Sequence, residues 1–351
     1  MCKKKHKGKI ILVALMALMP LSSFAGHEAG SSGEMNISET VLEHLSDSYE
    51  WHIASYEGKH LSIPLPIIVR SGETGEWTVC TAHTLPANFY FDATHHGKIY
   101  ERMSDGTVER PIDLSITRAV AQIWIVVAIL VVVFVSCSRW YKKHDETSDA
   151  PRGFVGVIEM LVMYIHDDLI RPAVGEGHYK KYAPYLLTVF FFILTTNLIG
   201  LLPVFPGGSN VTGNINVTLF LAVCTMLAIN LFGNKEYWKE IFWPEVPLFL
   251  KAYPVPIMPV IELFGVFTKP FALMIRLFAN MMAGHAVMLS FTCVIFLGWS
   301  MGAVFGVGLN IFSVLMLLFM NCLELLVAFV QAYVFTMLSA VFIGLAHKEH
   351  H

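Results

Sequence analysis

Three charged side chains lie in a long apolar stretch near the C-terminal end of the 351-residue sequence. Glu262, Lys269 and Arg276 follow one another at intervals of seven residues. On a helix this spacing drifts by only about 20° per step, so the three charges form one stripe, which Asn280 continues. A charge at the centre of a membrane costs from about 2.5 to more than 10 kcal/mol, and it persists where a pathway or a partner requires it. We interpret Arg276 as a functional cation and expect Lys269 to reach a membrane interface.

A second group of polar residues falls at matching depths if the last two apolar segments form an antiparallel helical hairpin. In such a hairpin, two residues at equal depth have numbers with a constant sum, and half of this sum is the centre of the hairpin. By this rule the pair Arg276 and Gln331 and the pair His285 and Glu324 both place the centre near residue 304, in a glycine-rich stretch. Asn321 lies close to the depth of His285 by the same rule. A histidine that shares its depth with a carboxylate can relay protons. The pattern predicts a His/Glu group on one side of Arg276.

The composition indicates that these residues belong to a membrane protein. Charged residues make up 15% of the sequence and hydrophobic residues 55%, whereas soluble domains carry about 25% charged residues. The mean hydropathy is +0.58. A net charge of −3 without a basic, aromatic-rich patch argues against nucleic-acid binding. The sequence has no His-Glu-x-x-His helix, Gly-x-Ser-x-Gly turn or phosphate-binding loop, so we expect no bound metal or cofactor and no catalysis by this chain itself.

The N-terminal end has the pattern of a secretory signal peptide. Several lysines precede an apolar run that is too short to span a membrane, and the small residues Ser23 and Ala25 follow it. We predict that residues 1–25 are a signal peptide and that residues 26–117 form an extracytoplasmic segment with a few short strands. Cys80 is the only cysteine of that segment, so it cannot form a disulfide within it.

Five apolar segments are long enough to cross a membrane and define a membrane domain over residues 118–351. Arg139, Lys142 and Lys143 follow the first of them, which places its C-terminal end in the cytoplasm by the positive-inside rule. The mature N-terminus is then outside and the C-terminus is cytoplasmic. Residues 153–174 are apolar on one side and are predicted to lie as a helix in the membrane interface.

The predicted fold class is therefore an all-α polytopic membrane protein that ends in a long helical hairpin. The predicted spans cover residues 119–138, 183–203, 215–233, 260–299 and 309–346.

The run Lys-Pro-Phe-Ala-Leu-Met-Ile-Arg-Leu-Phe-Ala-Asn-Met-Met-Ala-Gly-His, from Lys269 to His285, resembles the signature of subunit a of F-type ATP synthases. That subunit is the proton-channel protein of the membrane sector. Residues Glu324 to Gln331 resemble the matching part of its last helix, and Asn197 to Pro203 resemble an earlier span. The resemblance extends over about residues 115 to 347, and its Arg-Leu-Phe-x-Asn-Met core is highly specific.

The resemblance implies a mechanism in which a ring of c subunits rotates past Arg276, each carrying one carboxyl group in the membrane. A fixed cation favours the ionised carboxylate, so each group releases its proton on one side of Arg276 and gains one on the other. By position, Asn280, His285, Glu324 and Gln331 line an outer half-channel, and Glu262 lines an inner one. Further residues implied in a secondary role are Asn197, Lys269 and Asn321.

The implied partners are the c-ring, the b-type subunits of the peripheral stalk and membrane lipid. The implied location is the bacterial inner membrane, and the translocated ion is H⁺ or Na⁺. Some family members carry an acid where His285 stands and a histidine where Glu324 stands, so this chain has the exchanged arrangement. Gly265 and Ala272 replace small hydroxyl residues that some members have on the inner path.

Two other classes of protein also carry charges in the membrane or cross it several times. A stand-alone proton- or cation-coupled transporter is the alternative function, although the two halves of the sequence show no internal repeat. A passive structural anchor is disfavoured because nothing structural requires a cation at the depth of Arg276.

Overall fold

A computed structural model describes residues 47–56, 59–92, 98–144, 151–202, 207–243, 257–300 and 303–347. The predicted signal peptide, residues 1–25, lies outside the described residues. The chain divides into two compact units. The first unit comprises residues 1–125, 196–211 and 282–326, and the second comprises residues 126–195, 212–281 and 327–351.

Short antiparallel strands occur among the described residues that precede the first long helix, as the sequence predicts for this segment. Strand β3 pairs with both β4 and β8, β6 pairs with both β5 and β7, and β1 pairs with β2. A small core of Ile67, Val69, Cys80, Phe89 and Ile99 holds these strands together. The strands are β1 (Glu50–Tyr56), β2 (Lys59–Pro64), β3 (Ile67–Arg70), β4 (Trp77–Cys80), β5 (Phe89–Asp92), β6 (Lys98–Arg102), β7 (Val108–Glu109) and β8 (Ile112–Asp113).

Within the described residues, five helices are long and apolar enough to cross a membrane, which confirms the predicted fold class of a multi-pass helical membrane protein. The helices are α1 (Arg118–Tyr141), α2 (Phe154–Met163), a π-helical turn (Tyr164–Ile170), α3 (Arg171–Val174), α4 (Tyr179–Gly200), α5 (Ile215–Phe232), α6 (Lys235–Phe242), α7 (Ile257–Ser300) and α8 (Ala303–Ala346). The five candidate spans are α1, α4, α5, α7 and α8.

Helices α7 and α8 are longer than the sequence predicts, because residues 303–308, which the sequence places between the two spans, are helical. Helix α7 continues to Ser300 and α8 begins at Ala303, so Gly306 and Gly308 lie inside α8. A side chain on Gly306 would collide with the carbonyl oxygen of Gly298. This glycine therefore permits close helix approach, and in a membrane the need to satisfy every backbone hydrogen bond outweighs the low helix propensity of glycine.

The core of the second unit is built around α4. Phe190, Leu186 and Ile193 on this helix are fully buried, together with Leu273 and Leu277 of α7. Of the most apolar part of α4, 61% is buried, against 17% for α1. Helix α4 is thus the central support against which this part of α7 is positioned.

The C-terminal end of α8 is fixed within the second unit by a set of hydrogen bonds. The Asn234 backbone N–H donates to the Ala346 carbonyl at 3.0 Å. The ring nitrogens of His347 lie 2.9 Å from the Tyr182 hydroxyl and 2.9 Å from the Ile343 carbonyl. The end of α8, whose last carbonyls have no partners within the helix, is thereby capped by neighbouring side chains and backbone.

Candidate functional site

Arg276 lies on an exposed, largely apolar face of α7 in the second unit. Leu273, Met274 and Leu277 are buried, whereas Arg276 points to the other side of the helix and is exposed. Phe271, on the preceding turn of α7, is 58% exposed. Among the described residues, none forms a hydrogen bond or ion pair with the Arg276 guanidinium, and in a membrane such a cation requires a counter-charge. The geometry indicates that this counter-charge comes from another molecule.

The other predicted residues of the second unit stand in different environments. Asn280 is exposed on the same face as Arg276. Gln331, on α8, is only 6% exposed, and no hydrogen bond joins it to Arg276 within the described part of the chain. The expectation that Gln331 lies beside Arg276 stays a prediction.

Glu262 and Lys269 are half-buried and belong to a polar region that includes two residues not predicted from the sequence. Lys269 lines a small cleft together with Asn230 of α5 and Tyr237 of α6. The Tyr237 hydroxyl donates a hydrogen bond to the Asn230 side-chain oxygen at 3.3 Å. Burial raises the pKa of Tyr237, and the negative charge of Glu262 raises it further.

The Lys269 ammonium lies 5.8 Å from the centre of the Phe342 ring, within the range of a cation–π contact. Its long side chain therefore packs along an aromatic surface while its charged end lines the cleft, as expected for a lysine that reaches towards water. Two polar residues seven positions apart, one on each side of the α5–α6 junction, were the available sequence signal for Asn230 and Tyr237, but loops and helix ends often carry such residues.

The first unit brings together the predicted pair of His285 on α7 and Glu324 on α8. The His285 Nε2 and Glu324 Oε1 atoms are 3.4 Å apart, and the two side chains are 13% and 3% exposed. The distance lies within ion-pair range, but the orientation of the two groups does not give a hydrogen bond. Gly284 makes this approach possible, because a Cβ atom there would lie 3.0 Å from Glu324 Oε1.

Helix α4 and the start of α1 also contribute to the surroundings of His285 in the first unit. A Cβ atom on Gly200 would lie 3.9 Å from His285 Nε2, so the end of α4 comes close to the imidazole. Asn197, one turn earlier on α4, is buried, and Asn321 on α8 is half-buried. Arg118, the first residue of α1, lies within electrostatic range of His285.

Several polar atoms of the first unit, including those of this pair, are buried without a hydrogen-bond partner among the described residues. They include both carboxylate oxygens of Glu324, Nε2 of His285, the side-chain hydroxyl of Thr196 and both amide atoms of Gln122. Buried polar groups in proteins almost always have a partner, and ordered water supplies it where protein atoms do not. The arrangement is therefore suited to a hydrated proton path. Within the described part of the chain, no cluster of side chains has the composition of a metal site.

The sequence reasoning missed Gln122 and Arg118. Their signal was two polar residues four positions apart at the start of an otherwise apolar span, which places them on one face of a helix. Residues at the start of a span are ordinarily assigned to the interface between membrane and water, so the sequence does not indicate that these two side chains are wholly or partly buried in the protein.

Comparison with known proteins finds a match to the family model described as "ATP synthase A chain" over residues 120–344. A second family model, described as a domain of unknown function (DUF8433), matches residues 40–115.

Individual relatives are similar over most of the chain. A protein of Chlorobium phaeobacteroides (strain DSM 266) named "ATP synthase subunit a" is 38% identical over 357 residues, which cover 99% of this chain and 95% of that protein. Proteins of the same name are 41% identical in Chloroherpeton thalassium, over 74% of this chain and 78% of that protein, and 38% identical in Myxococcus xanthus, over 74% and 80%.

The matched region contains α1, Arg276 and the His285–Glu324 pair. On the extent of these matches, the chain belongs to the ATP synthase A chain family.

Proposed function

We propose that this chain is the stationary, ion-conducting subunit a of an F-type ATP synthase, which couples ion flow across the membrane to rotation of a c-ring. The observation that carries the proposal is Arg276, a cation on an exposed apolar helix face without a counter-charge among the described residues. The names of the relatives and five helices long enough to span a membrane support it. No observation favours the stand-alone transporter that the sequence left as an alternative.

Because Arg276 is exposed, it can interact in turn with the successive carboxyl groups of a rotating c-ring, rather than with one permanently bound partner. A ring carboxyl group that reaches this face is stabilised in its ionised form by the nearby positive charge, so it gives up its proton before it passes. The same charge disfavours a hydronium ion at this depth and so prevents a direct leak. Arg276 remains charged throughout, because an arginine guanidinium does not lose its proton under ordinary conditions.

Two polar regions then supply and remove the proton. His285 and Glu324, which lie close together in buried surroundings, form part of the outer half-channel, with Asn280, Gln331, Asn197 and Asn321 in supporting positions. Glu262 begins the inner half-channel, and Lys269 lines the cleft near it. Each elementary charge that crosses a potential of 100 mV releases about 2.3 kcal/mol, and these steps summed over the ring drive rotation.

The proposed assembly follows from this role. The exposed face around Arg276 contacts the c-ring, b-type stalk subunits hold the chain in place, and lipid covers the remaining apolar surface. The chain itself carries out no bond chemistry. The proposed location is the bacterial inner membrane, with the mature N-terminus outside and the C-terminus in the cytoplasm, and the ion is H⁺ or Na⁺.

The test is ATP-driven proton pumping in membrane vesicles that contain the complete complex with Arg276→Ala. We expect normal assembly and no pumping, because the ring carboxyl groups lose their fixed counter-charge. Ile275→Ala, which changes the neighbouring apolar residue, is the matched control and is expected to pump. Normal pumping by a fully assembled Arg276→Ala complex would contradict the proposed function.

A further inference from the structure

Helix α1 is exposed over much of its length. Only 17% of its most apolar part is buried, and Trp124 is 68% exposed. These features are typical of a helix that faces lipid. Gln122 is a buried polar residue on this helix, because its side chain is completely buried although it lies only two residues from Trp124.

Gln122 lies on the same helix face as Arg118, since residues four apart are neighbours on a helix surface. Arg118 is close enough to His285 for their charges to interact, so the Arg118 end of this face lies near the His285–Glu324 pair. The proximity of Gly200 to His285 brings α4 to the same region of the first unit. Four helices, α1, α4, α7 and α8, therefore contribute polar groups to this region.

The outer end of α1 is held in place independently of Gln122. The Asp47 carboxylate accepts a hydrogen bond from the Ala119 backbone N–H at 3.1 Å, and the Arg118 N–H donates to the Ser48 carbonyl at 2.9 Å. Asp47 also lies within electrostatic range of the Arg118 side chain. The start of the helix is thus capped, and Gln122 is not required for that purpose.

The hydrogen-bonding needs of Gln122 point to water. Neither its amide nitrogen nor its amide oxygen has a hydrogen-bond partner among the described residues. Thr196 on α4 and Glu324 on α8 carry buried oxygens in the same condition. Buried polar groups almost always have a hydrogen-bond partner, and one water molecule can satisfy two to four such groups. An amide both donates and accepts, so it can hold a water chain without taking up the proton.

We propose that Gln122 of α1 forms part of the wall of the hydrated path that leads to His285 and Glu324, with Arg118 at the rim of that path. The inference rests on the proposed function and adds the first membrane helix to the ion pathway. Gln122 acts by positioning water, and the proton moves along that water towards the His285–Glu324 pair.

The test compares Gln122→Leu with Trp124→Leu in the complete complex. Passive proton conduction is measured in vesicles after removal of the catalytic sector, and rates are normalised to the amount of assembled membrane sector. We expect Gln122→Leu to lower conduction on the order of tenfold, because the change removes the group that holds the water. Trp124→Leu, on the exposed side of the same helix, is expected to leave it unchanged, and Gln122→Asn is expected to restore most of it.

Accessibility gives a second measurement that does not depend on the effect of Gln122→Leu on assembly. Silver ions applied to Gln122→Cys are expected to block conduction, whereas Trp124→Cys and the parent complex with its natural cysteines are expected to be much less sensitive. Unchanged conduction by Gln122→Leu, or silver-insensitive conduction by Gln122→Cys, would overturn the inference. Either result would leave the proposed function intact if Arg276→Ala still abolished pumping, so the two failures are distinguishable.

Discussion

Helix α7 contributes polar residues to both units, but their surroundings are opposite. In the first unit, His285 is largely buried and lies 3.4 Å from the Glu324 carboxylate, which is also buried. In the second unit, Arg276 is exposed among apolar side chains and has no counter-charge within the described residues. A buried polar group can be satisfied by water, whereas an isolated cation on an apolar face requires a charged partner. The comparison therefore separates residues that conduct the ion from the residue that couples conduction to a moving partner.

The largest effect is expected for Arg276→Gln, which keeps polarity but removes the charge. Coupled ATP synthesis and ATP-driven pumping should both disappear, because a neutral side chain no longer stabilises the ionised ring carboxylate. Both activities can be measured in vesicles with a matched amount of assembled complex. Retention of either activity close to the parent level would show that the exposed cation is not the coupling element.

A large loss of proton conduction, which a second substitution restores, is expected at the buried His285–Glu324 pair. His285→Glu and Glu324→His should each lower proton conduction on the order of tenfold, because like groups then face each other at a short distance. The double variant, which exchanges the two residues, should recover most of the conduction because one histidine and one carboxylate are again paired. The proton-conduction rates of the two single variants and of the double variant are measured and compared with the rate of the parent complex. The two residues are coupled if the loss in the double variant differs from the combined losses of the single variants. Purely additive losses would indicate that the pair does not act as a unit.

A moderate effect is expected for Gly284→Ala. The added Cβ atom would lie 3.0 Å from Glu324 Oε1, so the carboxylate must shift by a few tenths of an ångström. We expect a loss of conduction of about threefold, as small displacements in a proton path cost less than removal of a group. Gly308→Ala on α8 is the matched control, because a Cβ atom there meets nothing within 4 Å. Equal rates of proton conduction for Gly284→Ala and Gly308→Ala would indicate that the absence of a side chain at Gly284 has no role in conduction.

The smallest effect is expected for Lys269→Met, which keeps the long apolar stem and removes the charge. The stem can still pack along Phe342, so assembly should be normal, and pumping should fall by about twofold at most because exposed and half-exposed charges contribute little. Pumping can be compared directly with that of Arg276→Gln in the same vesicles. A loss as complete as that of Arg276→Gln would contradict the assignment of Lys269 to a secondary role.

The hairpin shows why some distances could be inferred from the sequence and others could not. The numbering rule for antiparallel helices places His285 and Glu324 at equal depth, and the structure brings them together. The same rule could not reveal Gly284 as the residue that gives Glu324 its space, because this depends on side-chain contact. It also misjudged the turn, since Gly306 lies inside α8, where it allows close approach to Gly298.

The sequence by itself determined that the chain crosses a membrane and where its five spans lie. It also identified Arg276 as a cation in an apolar segment, where a charge is costly and indicates a function. These conclusions follow from hydropathy and from the cost of an isolated charge in lipid, which are properties of individual segments. Only the tertiary structure decided which side of each helix is buried. It therefore decided that Arg276 faces outwards, that Gln122 is buried although Trp124 beside it is exposed, and that Asn230 and Tyr237 share a cleft with Lys269. Burial depends on the packing of helices that are distant in sequence, and no local pattern encodes it.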